Sequence, residues 1–163
     1  MHAQARYGKS GGKWWQHVAQ LINDSRCKTW LDYGCGTGKL AKNIRKLHLP
    51  VTISEYDPGV VDKMTVPDGR FDLVTCVDTL EHIEPEHLDD VLAHLNALTG
   101  KMLFAVISTR LAGKILPDGR NAHLIVMPYA WWLSRLRGRG KFLVERNWHE
   151  RLDELCVLAR PLA

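Results

Sequence analysis

The sequence predicts a doubly wound α/β fold, one mostly parallel sheet with helices on both faces, and three observations lead to it. Strand-like and helix-like segments alternate three times between residues 29 and 107. Parallel strands joined by helical crossovers are the arrangement that such alternation favours. Residues 71–78, Phe-Asp-Leu-Val-Thr-Cys-Val-Asp, form a nearly continuous apolar run with β-branched members, the pattern of a strand covered on both faces. The first strand, 29–33, runs into a loop with Gly34, Gly36 and Gly38 and then into a helix, a strand–loop–helix unit that opens many such sheets.

Taken in order, Trp14, Trp15, Val18, Leu21 and Ile22 lie at helical spacing and predict an N-terminal helix. Thr29-Trp30-Leu31-Asp32-Tyr33 is short, bulky and stopped by Gly34, as a strand entering a tight loop would be. Leu40, Ala41, Ile44 and Leu47 then mark an inner helical stripe, Lys39, Lys42, Arg45 and Lys46 an outer one, and Pro50 ends the pattern. Residues 51–57 read as a second strand ending in Asp57-Pro58, and 59–64 as at most a short helix. Pro85 suits a first helical turn; Leu88, Val91, Leu92, Leu95 and Leu98 form one stripe that Gly100 closes, before a buried strand at 102–107. A Gly/Pro-punctuated loop at 113–128 leads to a helix carrying Trp131, Trp132, Leu133 and Leu136. Strand-like runs at 142–148 and 155–158 are separated by too few residues for a crossover, so they are expected to pair antiparallel.

A chain of 163 residues buries about two-thirds of its extended surface, enough for one core, so a single domain spanning 1–163 is expected. Hydrophobic residues at 45% and charged residues at 25% fit a soluble globular chain. The N-terminal apolar stripe is interrupted by Gln16, His17 and Gln20, which argues against a signal-peptide core or membrane span and for a cytoplasmic protein without membrane contact. Cys27, Cys35, Cys76 and Cys156 form no Cys-x-x-Cys pair, so buried reduced thiols are expected rather than a metal site or disulfides. A net charge of +4 does not announce nucleic acid, although Arg135, Arg137, Arg139 and Lys141 cluster locally.

The glycine loop carries the chemistry. Glycine is needed where a Cβ would block a ligand or where φ is positive, and the helix start behind it offers N–H groups. Dinucleotide-binding loops want a small residue three positions after the second glycine. Here that position is Lys39, and the third glycine comes earlier, at Gly38. This disfavours a nicotinamide-dependent oxidoreductase.

Leu-Asp-Tyr-Gly-Cys-Gly-Thr-Gly at 31–38 resembles the first motif of class I S-adenosylmethionine-dependent methyltransferases. The likeness extends through Asp57-Pro58, Phe71-Asp72-Leu73-Val74 and Asp78-Thr79-Leu80-Glu81-His82-Ile83, so it covers roughly residues 29–109. It implies a Rossmann-like methyltransferase sheet with S-adenosyl-L-methionine as cofactor. Gly34, Gly36 and Gly38 would line the methionine part, with Asp32 near its amino group; Asp57 would hold the ribose hydroxyls, and Asp78 and Thr79 would flank the methionine and sulfonium. Glu55 points to the same side as Asp57 and competes for the ribose; Asp32 and Asp78 are alternatively strand-end carboxylates capping turns. The family's third strand has almost no room between Met64 and Arg70, which leaves Thr65 and Val66 as the residues placed to meet adenine.

Methyl transfer from a sulfonium is an in-line displacement that needs alignment and, for a hydroxyl or protonated amine, loss of a proton. His82 and His123 are the histidines best placed for catalysis, and a structural role for each competes. The remaining histidines (His2, His17, His48, His87, His94, His149) read as exposed. No Asp/Asn-Pro-Pro-aromatic motif follows the 71–78 strand and no Pro-Cys pair exists, which sets aside methylation of base amino groups and of cytosine carbon 5. Residues 118–123 with Trp131-Trp132 are expected on the acceptor side, although paired tryptophans more often build core. A small-molecule acceptor is expected first, a nucleic acid second, and a cofactor-binding domain without catalysis remains an alternative.

Overall fold

In the computed structural model, which describes residues 10–162, the chain runs through α1 (Trp15–Asp24), β1 (Thr29–Tyr33), α2 (Lys39–Arg45), β2 (Thr52–Tyr56), β3 (Phe71–Val77), α3 (Leu88–Leu98), β4 (Thr99–Ser108), α4 (Tyr129–Gly138), β5 (Phe142–Arg151) and β6 (Glu154–Pro161). The six strands form one sheet in the order β2-β1-β3-β4-β6-β5. β1 pairs parallel with β2 and with β3, and β3 pairs parallel with β4. β6 alone is reversed, lying antiparallel between β4 and β5. The expected mostly parallel sheet with an antiparallel C-terminal strand is therefore present.

Both faces are covered because alternate strand residues point to opposite sides. Leu31 and Tyr33 of β1 and Val74 and Cys76 of β3 pack with the leucine stripe of α3 and with Trp132 and Leu136 of α4. Trp30, Leu73 and Phe104 face the other way, against Val18 and Ile22 of α1 and Leu40 and Ile44 of α2. At about 25 cal/mol per Å², such two-sided burial is what fixes the centre of the sheet.

Between β2 and β3 the chain makes only the 3-10 turn Val61–Lys63 and an irregular crossing, so no strand fills residues 64–70 and β2 is the sheet's edge. Four details depart from the sequence reading. Gly100 lies inside β4 rather than ending a helix; a Cβ there would meet the Phe71 carbonyl at 2.9 Å, so the close strand pairing requires it. Leu47 falls beyond α2 and is exposed. Trp132 is fully buried in the core and Trp131 packs on the same cluster, so the pair does not stand on the acceptor side. His17 packs among Trp14, Phe104 and Trp148, and His94 is half-buried against Tyr33. Helical period placed both on an outer face; the aromatic neighbours come from elsewhere in the chain. All four cysteines are free and buried. Among the described residues no helix is long and apolar enough to cross a membrane.

Candidate active site

The chain moves outward from β1 to β2 and then returns to β3 on β1's other side, so the loops leaving β1 and β3 diverge. An open α/β sheet binds ligands in the crevice beyond the carboxyl strand ends at such a reversal. Here it holds a cavity of about 1040 Å³, walled by residues 32–36 after β1, 56–60 after β2, 77–79 after β3, His82, His87, Val91 and His94, and residues 112–114 with Ala122.

Main chain forms the floor. Gly34 has φ 72°, and a methyl group there would overlap the Thr79 side chain, so neither backbone nor space admits another residue. The Gly34 and Cys35 N–H groups donate to the Tyr56 carbonyl at 2.7 and 3.2 Å, which ties the loop to β2. Gly36 donates its N–H to Asp57 Oδ2 at 2.8 Å and Gly59 donates to Oδ1 at 2.9 Å. A carboxylate accepts about four hydrogen bonds, so Asp57 is aimed by two loops and keeps acceptor capacity for a ligand. Glu55 is engaged elsewhere: Arg45 and Lys63 donate to it at 2.7 and 2.9 Å, and it is absent from the cavity wall. Burial works against its charge, but those two cations hold its carboxyl below the usual glutamate range.

Asp32 is the buried charge of the site, 3% exposed. Trp30 Nε1 donates to Thr75 Oγ1 at 3.0 Å, and Thr75 Oγ1 donates to Asp32 Oδ1 at 3.0 Å; Oδ2 finds no partner among the described residues. Burial pushes its carboxyl up to about 7, against the Thr75 hydrogen bond and with help from the Glu55 charge. A buried carboxylate with one oxygen unmet is costly unless a cation or proton reaches it. The cavity wall that Asp32 joins is where such a cation would come from.

Across the cavity, His82 sits on the 3-10 turn Leu80–His82 and lines the wall. Burial lowers its pKa, opposed by its bond to the Ala122 carbonyl. His123 stands behind it with ring centroids 4.8 Å apart and does not reach the wall. Glu81, fully buried, accepts the Ser108 N–H at 3.0 Å; burial and then the Asp78 charge push its carboxyl up to about 8. On the α3 side, Tyr33 OH bonds His94 Nδ1 at 3.0 Å and the Tyr56 ring packs against Tyr33 at 5.1 Å, tilted by 59°, making an aromatic wall.

Of the residues expected to meet cofactor, Asp32, Gly34, Gly36, Asp57, Asp78 and Thr79 line this one cavity. Gly38 does not; with φ 74° it precedes α2, pressed against Glu55 and Lys63. Thr65 and Val66 are exposed and absent from the cavity wall, which beyond β2 is made by Asp57, Pro58, Gly59 and Val60. Asp78 has φ 48°, a left-handed conformation that Asp tolerates better than most. Sequence reasoning missed Tyr33, Tyr56 and His94; two aromatics one place before Gly34 and Asp57 were the available signal. The basic cluster lies elsewhere: Arg135 and Arg139 pair with Asp89 at 3.0 and 3.4 Å, and Arg135 covers the Trp131 ring.

A doubly wound sheet with a glycine loop at its strand reversal and a carboxylate closing the neighbouring strand defines a nucleoside-binding α/β domain. A family described as "Methyltransferase domain" matches residues 7–155. The chain belongs to that family, as a class I S-adenosylmethionine-dependent methyltransferase domain. It is 24% identical over 163 residues to the mitochondrial ubiquinone biosynthesis O-methyltransferase of Schizosaccharomyces pombe, covering 80% of this chain and 60% of that protein. It is 30% identical over 112 residues to the ribosomal protein L11 methyltransferase of Cupriavidus taiwanensis, covering 65% of this chain and 38% of the relative. The chain thus spans less than two-thirds of the length of these relatives. The crystal structure of magnesium protoporphyrin IX methyltransferase from Synechocystis PCC 6803 with bound S-adenosylhomocysteine shares the fold, with TM-score 0.69 and 17% identity over 99% of this chain and 90% of that one.

Proposed function

We propose that this domain transfers the methyl group of S-adenosylmethionine to a small molecule held in the same cavity. One observation carries the reading: a single space of about 1040 Å³ runs from the glycine loop to His82 and Ala122. Pockets for one drug-sized ligand fall at about 300 to 1,000 Å³, so this one has room for a nucleoside and a modest acceptor together. The residues fit the cofactor. Gly34 and Gly36 leave bare main chain for its methionine part, the unmet Asp32 Oδ2 suits the ammonium, and Asp57, held by Gly36 and Gly59, suits vicinal ribose hydroxyls.

When bound, the cofactor supplies an electrophilic methyl on a sulfonium. The chain's part is to align the acceptor between Asp78-Thr79 and residues 112–114 with Ala122, and to ease loss of its proton, for which His82 lines the cavity and His123, behind it, would act through His82. A small molecule is favoured over nucleic acid because Arg135 and Arg139 are engaged by Asp89 rather than presented at the cavity. The curated relatives are named for ubiquinone biosynthesis and for a ribosomal protein; the protein substrate is an arm of the test.

Thermal unfolding tests the cofactor. S-adenosylmethionine at a hundredfold over its dissociation constant adds about 2.7 kcal/mol and should raise the midpoint by roughly 5 to 10 °C, whereas NAD should not. A panel of phenols, catechols, amines, oligonucleotides and ribosomal protein, read by release of S-adenosylhomocysteine, then tests the acceptor. Turnover on an oligonucleotide or protein alone would overturn the small-molecule assignment, and no shift with S-adenosylmethionine would overturn the whole reading. In an active assay, His123→Ala should lower turnover; unchanged turnover removes His123 from the reaction.

A further inference from the structure

Three side chains from two segments meet at the cavity's far side, where His82 lines the wall and Glu81 and His123 stand behind it. Glu81 and His82 come from the turn after β3, and His123 comes from the long connection after β4, 41 positions beyond His82. One potential ligand atom of each lies within 4.8 Å of the others. His82 Nδ1 bonds the Ala122 carbonyl at 2.7 Å, and His123 Nδ1 bonds the Arg110 carbonyl at 2.6 Å. A carbonyl only accepts, so Nδ1 carries the proton in each neutral ring and the lone pair resides on Nε2. Metal-bound imidazoles are oriented by such a backbone bond on the other nitrogen.

Glu81 completes the set. It is fully buried, its Oε1 accepts the Ser108 N–H, and Oε2 has no partner among the described residues. Two imidazoles and a carboxylate form the ligand set of borderline divalent metals, and catalytic sites keep three protein ligands with a position open. Two bonds of about 2.1 Å at a tetrahedral angle span about 3.4 Å, so ligation draws these atoms together by up to about 1.4 Å. His123 lies on a loop, which makes that movement local.

We propose that Glu81, His82 and His123 bind one divalent ion of the zinc or cobalt type, which coordinates an oxygen of the methyl acceptor. This rests on the methyl-transfer reading and narrows it to hydroxyl acceptors. On coordination the hydroxyl releases its proton to solvent water. The oxygen lone pair forms the new C–O bond as the C–S bond breaks, and sulfur keeps that electron pair and leaves as the neutral thioether. The histidines then act through the ion rather than as bases. The expectation of no metal site came from the cysteines; a His/Glu set joined only by folding gives no spacing to read.

The full chain, stripped with a chelator and dialysed metal-free, is titrated with cobalt chloride and watched by visible absorption, with S-adenosylhomocysteine affinity measured in parallel. The expected result is one cobalt per chain, displaced by zinc, with bands that shift on adding acetohydroxamate, an oxygen chelator that reports the open position. His123→Ala and Glu81→Gln should each weaken cobalt binding at least about tenfold while S-adenosylhomocysteine still binds, and exposed His48→Ala should leave both unchanged. His123→Ala keeps the test decisive where loss of the buried Glu81 impairs folding. No cobalt binding, or equal binding by His123→Ala, with S-adenosylhomocysteine retained, overturns the metal site and leaves the methyltransferase reading intact. Bands insensitive to acetohydroxamate overturn the acceptor role. Cobalt bound normally without any S-adenosylhomocysteine binding overturns the methyl-transfer reading and the acceptor role with it.

Discussion

The two sides of the cavity are built in opposite ways. Around Gly34 the wall is main chain, drawn from stretches of a few residues and fixed by N–H donors: Gly34 and Cys35 to Tyr56, Gly36 and Gly59 to Asp57. Around His82 the wall is side chains from distant segments, and the connection after β4 is held by its own polar contacts. Asn121 donates to and accepts from Ala112, and Arg120 grips Glu84 with two bonds of 2.8 Å. A main-chain surface tolerates little substitution and suits a constant ligand, whereas a loop clamped by side chains accepts change. The difference predicts where single substitutions hurt.

Gly34→Ala should have the largest effect. It places a methyl group at φ 72° and into Thr79; strain and overlap together cost about 2 to 4 kcal/mol. S-adenosylhomocysteine affinity by calorimetry should fall roughly a hundredfold, and a loss under tenfold would mean that the loop is not the rigid floor described. Asp57→Ala comes next. A carboxylate bonded to two hydroxyls contributes about 1.5 to 3 kcal/mol, so binding should weaken on the order of ten- to a hundredfold; an unchanged dissociation constant rules out the ribose role.

The same contrast explains what could be read without coordinates. Gly34, Gly36, Asp57 and the 71–78 run lie within short stretches whose spacing encodes their geometry, so sheet, glycine loop and the missing third strand were all legible. Gly38 was misplaced because spacing alone cannot tell a glycine that faces ligand from one that starts a helix. His94, His17 and the Glu81–His82–His123 meeting were invisible because their neighbours are supplied by tertiary packing. Trp131 and Trp132 were drawn toward the acceptor by their position after a long loop, yet burial of two large apolar surfaces outweighs position, and Trp132 ended in the core.

Asp32 should show a smaller, pH-dependent effect. Its folded pKa is raised from 3.8 to about 7, so the folded chain holds this proton more tightly than the unfolded one. The stability this contributes is complete below about pH 4 and disappears as pH rises through about 7. The ligand-free domain should therefore lose stability between pH 4 and 8, and Asp32→Asn should lose less over that range in urea unfolding. Binding runs the other way. An ammonium favours the ionised carboxylate, so S-adenosylhomocysteine affinity should rise by up to about tenfold from pH 6 to 7.5, the range in which the carboxylate ionises. A flat profile in the native chain, or an equally steep one in Asp32→Asn, would separate Asp32 from the amino group.

The smallest expected effect is the sharpest discriminator between two neighbouring carboxylates. Glu55 lies in β2 and Asp57 just beyond its end, two positions apart, so strand alternation alone does not separate them. Their partners do. Glu55 is taken by Arg45 and Lys63, and Lys63 also reaches the Gly36 carbonyl at 3.3 Å, so its charge braces the loop from beneath. Glu55→Gln keeps size and one acceptor oxygen while removing the charge, and partly exposed ion pairs contribute about 1 kcal/mol or less. Affinity for S-adenosylhomocysteine should therefore change less than about fivefold, against the larger loss for Asp57→Ala. If Glu55→Gln weakened binding as much as Asp57→Ala, the two carboxylates would hold the ligand jointly. The cofactor side would then depend on side-chain charge as heavily as the acceptor side does.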